Sequence, residues 1–121
     1  MLNVRIKENS WIAKIAALKF NNQAVAITIG RTIFLYKVPA SDFVRNASWF
    51  RHELEHVRQF KKYGIVKFLC MYLIETIKKG YYQNKWEVAA RAAEKDIQMN
   101  EKCSVNCKSL LNLKNDEGKK L

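Results

Sequence analysis

Histidine is scarce in this chain, and its two copies fall within one short segment. One proline and four glycines in 121 residues are too few for a turn-rich fold or a proline-rich linker. The three cysteines, an odd number, do not form a disulfide framework. No apolar run is long enough for a bilayer: the longest, Ile65 to Ile77, carries Lys67 and Glu75. The apolar stretch Trp11 to Phe20 is broken by Lys14 and Lys19, which does not read as a secretory signal. Acid is also short, with 11 Asp and Glu against 22 Lys and Arg. These absences lead to the expectation of a soluble, cytoplasmic, monomeric protein.

What is present is enough for a core. Hydrophobic residues make up 49% of the chain, which argues against wholesale disorder. The net charge of +11 is spread through every segment, and many basic residues fall where a helix would show them to solvent. A solvated basic surface is therefore expected, with neither nucleic acid nor membrane as a partner. An electrostatic preference for an acidic partner is the other reading of the same charge.

Ser10 is a helix cap for Trp11 to about Phe20. The runs Ala24 to Ile29 and Thr32 to Tyr36 are rich in β-branched and aromatic residues, and Gly30-Arg31 between them predicts a hairpin. Pro39 and Ser41-Asp42 mark a loop or short turn. Helical spacing returns from about Asn46 to Lys62, stopped by Gly64, and again from Ile65 to about Lys79, ending at Gly80. A further helix is expected from Asn84, as cap, to about Met99. The expected fold is α+β, a small antiparallel sheet with three to four helices in residues 1–100. Residues 101–121 are expected to form a flexible or regulatory tail.

The segment Arg51-His52-Glu53-Leu54-Glu55-His56-Val57 carries the chemistry. On a helix, four residues turn about 40° and rise ~6 Å, so both imidazoles share one face with Glu53 beside them. Two nitrogen ligands at this spacing, with a carboxylate next to the attacking water, suit a catalytic zinc. Trp49, Leu54, Val57 and Phe60 give the segment a packed side. Such a zinc takes three protein ligands, and with no third histidine the last must be a carboxylate or thiolate. Glu75, Glu87, Glu94, Cys70 and the tail cysteines are the candidates. Glu87 and Glu94 project within about 20° of each other on one helix, so spacing does not separate them.

The chain resembles the gluzincin zinc metallopeptidases, and is most similar to their very short bacterial and archaeal members, the minimal gluzincins. The resemblance covers most of residues 24–94: Ile27 to Ile33, then His52-Glu53-Leu54-Glu55-His56-Val57-Arg58-Gln59, and Asn84-Lys85-Trp86-Glu87-Val88-Ala89-Ala90-Arg91. It implies that Glu87 is the third zinc ligand and that Glu53 is the general base for hydrolysis of a peptide or protein substrate. Where related sequences often carry a second acidic residue after the ligand, this chain has Ala89 and Arg91. The resemblance also implies an open edge at Thr32 to Tyr36 for an extended peptide. Tyr82, just ahead of the Glu87 helix, is the candidate donor to the oxyanion. Cys103 or Cys107, or the patch Leu110 to Leu113, would make the enzyme latent by covering the site. The alternative function is a catalytically inactive zincin-fold module that recognises an acidic partner through its basic surface.

Overall fold

Leu2, Val4 and Ile6 are buried while Asn3, Arg5 and Lys7 are exposed, and this period of two makes Leu2–Lys7 a strand, β1. The computed structural model describes residues 2–19, 21, 23–97 and 103–106. After β1 come helix α1 (Trp11–Lys19), strands β2 (Val25–Ile29) and β3 (Thr32–Tyr36), and helices α2 (Ala40–Arg45), α3 (Ala47–Tyr63), α4 (Ile65–Gln83) and α5 (Lys85–Ala93). Strand β4 (Cys103–Asn106) follows. The fold is α+β, as the sequence predicts.

The sheet is mixed rather than antiparallel. Its order is β2-β3-β1-β4, with β2 and β3 forming the predicted hairpin, while β1 runs parallel to both β3 and β4. The chain from β1 to β3 passes through α1 and β2, and such a crossover permits parallel pairing. This order also corrects the expected open edge. β3 is enclosed between β2 and β1, so β2 is the edge strand on that side. The β1 edge is paired by residues 103–106, which lie within the segment expected to be a flexible tail. Cys107 and Leu110 to Leu113 lie outside the described residues.

Leu2, Val4 and Ile6 share one sheet face with Ile33 and Leu35, and they pack with Phe43, Phe50, Leu54 and Val57 of α2 and α3 into the core. Apolar burial of this kind stabilises the domain by roughly 25 cal/mol per Å². On the opposite face α1 lies against β2 and β3, burying Ala13 and Ala17. The turn expected at Pro39 is the start of helix α2, because Phe43 N–H donates to the Pro39 carbonyl at 3.0 Å and Glu8 accepts from Ala40 N–H at 2.8 Å. That helix sets Phe43 edge-on to both Trp49 and Phe50.

Asn46 caps α3 by accepting from Trp49 N–H at 3.3 Å. Gly64, at φ +83°, ends α3 and starts α4. Within α4 the helical geometry breaks at Gly80, φ +80°, as expected for a helix that stops there. α5 ends at Ala93, short of the expected Met99, where three-residue turn bonds replace the helical pattern through Asp96. Arg51 of α3 donates to the Glu94 carbonyl at 2.7 Å, satisfying an acceptor at that helix end.

Candidate metal centre

His52 and His56, four apart, project within about 40° of each other on α3, and Glu53, three before His56, lies about 60° to the side of His56. Leu54, Val57 and Phe60 of the same helix are anchored in the interior, which fixes the helix's rotation. α5 crosses α3 and delivers Glu87 from its first turn. Asn84, fully buried, sets that crossing. Its Oδ1 accepts from Trp86 N–H at 2.9 Å, and its Nδ2 donates to the Tyr72 carbonyl at 3.1 Å and to Thr76 Oγ1 at 2.8 Å. One residue therefore caps α5 and pins it to α4. Glu87 occupies the third helical position, where a glutamate often folds back to its own cap. Here it turns to the histidines instead.

His52 Nε2 lies 3.1 Å from Glu87 Oε1, and His56 Nε2 lies 3.1 Å from Glu87 Oε2. The three ligand atoms lie within 4.8 Å of one another. With metal–ligand bonds of 2.0–2.1 Å, the edge of a coordination tetrahedron is about 3.3 Å, so the donor set fits zinc in type and spacing. Of the other candidates, Glu75 pairs with Lys79 at 3.2 Å and Cys70 is exposed. Glu94 reaches His52 Nδ1 at 4.0 Å, on the far side of that ring from Glu87.

His56 and Glu87 each have a further hydrogen-bond partner. His56 Nδ1–H donates to Gln59 Oε1 at 2.9 Å, and Gln59 Nε2 donates to the Trp86 carbonyl at 3.1 Å. This relay selects the tautomer whose Nε2 is available to a metal. Tyr72 donates to Glu87 Oε2 at 2.6 Å. Glu94 stands behind His52 at 4.0 Å from Nδ1, beyond hydrogen-bond range. Glu53 is held by Thr28 of β2, whose hydroxyl donates to Glu53 Oε2 at 2.6 Å.

The electrostatics follow from burial and these contacts. Burial raises the Glu53 carboxyl, against the opposing charge of His56 and the Thr28 bond. Burial also opposes ionisation of Glu87, but bonds from His52, His56 and Tyr72 outweigh it and hold the carboxyl well below its usual range. Burial would lower His56, yet its bond to Glu87 and the charge of Glu53 carry it up to about 9. Burial and the Glu87 bond raise the Tyr72 phenol far above its ordinary value. Tyr81 is raised as well, by burial and then by the Glu87 charge.

A cleft runs past this cluster between β2 and α4. One half, about 400 Å³, is walled by β2, Phe60, Phe68, Leu69 and Leu73 and ends at Glu53, His56 and Glu87. The other half is more polar and includes Trp49, His52 and Glu94. Tyr81 and Glu53 line both halves. Tyr82 is turned elsewhere: it is 66% exposed, its ring lies 4.0 Å from the Arg91 guanidinium, and its carbonyl accepts from Arg91 at 2.5 Å. Thus His52, Glu53, His56 and Glu87 converge, while Tyr82 does not join them. Gln59 had a local signal, three residues after His56 on the same helix face. Thr28 and Tyr72 had none, because they meet the site only through tertiary packing.

No curated protein and no solved structure matches the chain. The sequence model of one family, described as the eCIS core domain, matches residues 2–64. That stretch runs from β1 to the end of α3 and includes both histidines and Glu53, while Glu87 follows it. As the match spans slightly more than half of the sequence, the chain belongs to the eCIS core domain family.

Proposed function

We propose that this chain is a zinc-dependent metallopeptidase of the minimal gluzincin kind, in which His52, His56 and Glu87 hold the ion and Glu53 is the general base. The observation that carries this reading is the convergence of three suitable ligand atoms within 4.8 Å beside a buried glutamate, in a cleft bordered by a strand edge. Zinc, when bound, supplies Lewis-acid polarisation of the scissile carbonyl and makes water a nucleophile at neutral pH. Thr28 occupies Glu53 Oε2, so Oε1 takes the proton of the attacking water and returns it to the leaving amine. Burial strengthens Glu53 as a base by raising its carboxyl.

Tyr81 is assigned as donor to the developing oxyanion in place of Tyr82, since its phenol borders both halves of the cleft and stays protonated. An extended peptide adds along the β2 edge by main-chain hydrogen bonds. It lays an apolar side chain into the pocket against Phe68 and Leu73.

The test is metal analysis of the wild type and His56→Ala, combined with peptide-library cleavage by the wild type and Glu53→Gln. The expected result is one zinc per wild-type chain, lost in His56→Ala, with Glu53→Gln retaining zinc and losing hydrolysis. Equal metal content in wild type and His56→Ala would remove the site. Zinc without cleavage by either protein would favour a binding module.

A further inference from the structure

α4 carries an apolar face that nothing among the described residues covers. Val66 is 77% exposed, Leu73 59%, Ile74 52% and Ile77 84%, and Cys70 is exposed beside them. On a helix these five positions fall within about 100° of the circumference, forming one continuous stripe. Scattered exposed apolar residues are ordinary, but a contiguous stripe marks an interaction surface. On one side the stripe meets the wall of the cleft, since Leu73 belongs to both. On the other side it is bordered by exposed Lys67 and Lys78, which follow within about a further 40° of rotation.

The shape and charge of this face select its partner. The stripe lies on the outward side of a single helix, so it does not offer the groove that the helix-in-groove mode of recognition needs. The cavities that α4 borders are lined by Ile65, Phe68, Leu69, Tyr72, Leu73 and Tyr81, not by Val66, Ile74 or Ile77. A second copy would bring an identical lysine border and a charge of +11 against the first, which is repulsive. A flat anionic surface with an apolar interior satisfies both parts: the stripe enters it and the lysines meet its headgroups. No described helix is long and apolar enough to cross a membrane, so the contact is interfacial.

Against the sequence expectation of no membrane partner, we infer that the exposed face of α4 binds the surface of an anionic lipid membrane, with Val66, Ile74 and Ile77 inserted and Lys67 and Lys78 at the headgroups. This binding does not depend on the peptidase reading and is measured without substrate or turnover. The experiment is co-sedimentation of the full chain with vesicles of pure phosphatidylcholine, or with about one-third of the lipid replaced by phosphatidylserine. Wild-type protein should sediment with the anionic vesicles and not with the neutral ones, and added salt should release it. The double change Ile74→Glu and Ile77→Glu should weaken binding at least about tenfold, with the circular dichroism spectrum unchanged. Lys78→Gln should weaken it about fivefold, and it tests the inference even if the double variant fails to fold. Equal sedimentation with both vesicle types, or binding unaffected by Lys78→Gln, would overturn the inference. So would a dimer in light scattering that Ile77→Glu dissociates, which would give the face to a second copy.

Discussion

Gln59 and His56 form a bond that reaches beyond their own helix. The imidazole Nδ1–H donates to Gln59 Oε1 at 2.9 Å, and the amide of Gln59 continues to the Trp86 carbonyl at 3.1 Å. The orientation of one proposed ligand is thereby tied to the helix that supplies another.

Gln59→Leu removes the acceptor for Nδ1–H and the link to α5 together. Zinc affinity is expected to fall about 10–100-fold, read by competition with a chromophoric chelator. Gln59→Glu keeps an acceptor for the imidazole and should retain more affinity than the leucine variant. Equal affinities for the two variants would show that the bond does not orient the ligand.

Tyr72→Phe deletes one donor to Glu87 without changing the ring's packing against Phe68 and His56. The loss of a charge-assisted bond to a buried carboxylate is expected to lower folding stability by about 1.5–3 kcal/mol. Urea denaturation of metal-free protein measures it. A stability unchanged by the substitution would mean that Glu87 is satisfied by the histidines alone.

The pH dependence of the metal-free protein has a definite sign. His56 is raised from 6.5 to about 9 in the folded state, so its stabilising contribution is complete below about 6.5 and is lost as pH rises through about 9. Glu87 is depressed below 4.5, so its contribution is present above that value and is lost at more acid pH. Thermal denaturation in chelator should therefore show falling stability between pH 6.5 and 9. Zinc must displace the proton on His56 Nε2, so its affinity should rise over the same interval by about tenfold per pH unit. Parallel trends for metal-free and zinc-loaded protein would contradict this coupling.

Asn84→Ala removes a helix cap and the amide that donates to the Tyr72 carbonyl and to Thr76 Oγ1, leaving those two part-buried groups only their bond to each other. A loss of about 1–3 kcal/mol is expected, accompanied by weaker zinc binding because Glu87 lies in the first turn of the released helix. Asn84→Asp keeps the cap but not the donor, so it should fall between alanine and wild type in the same denaturation assay.

The parts of the site that could be read from sequence are those set by local geometry. His52, Glu53 and His56 need only one helical turn, and Gly64 and Gly80 mark helix limits through backbone freedom alone. Glu87 could not be separated from Glu94 by spacing, and resemblance to a family singled it out. The two glutamates do flank His52, one on each side of its ring, a difference invisible until α5 is packed on α3. The sequence reading places no strand at Leu2 to Lys7, although its apolar–polar alternation suits one, and alternation does not tell which neighbour a strand takes. That is why β2, rather than β3, is the free edge. Thr28 and Tyr72 reach the site from a strand and a helix whose approach depends on the whole core.

Gly64 joins α3 to α4 without a loop, and the proposed ligands lie on both sides of it, His52 and His56 before and Glu87 after. An ion bound there acts as a removable cross-link between two arms of one chain. It closes the segment from His56 to Glu87 much as a covalent bridge would, and it restricts the unfolded ensemble only while it stays bound. The first arm alone offers two nitrogen ligands and holds metal weakly. Tight binding is therefore a report that the second arm has docked.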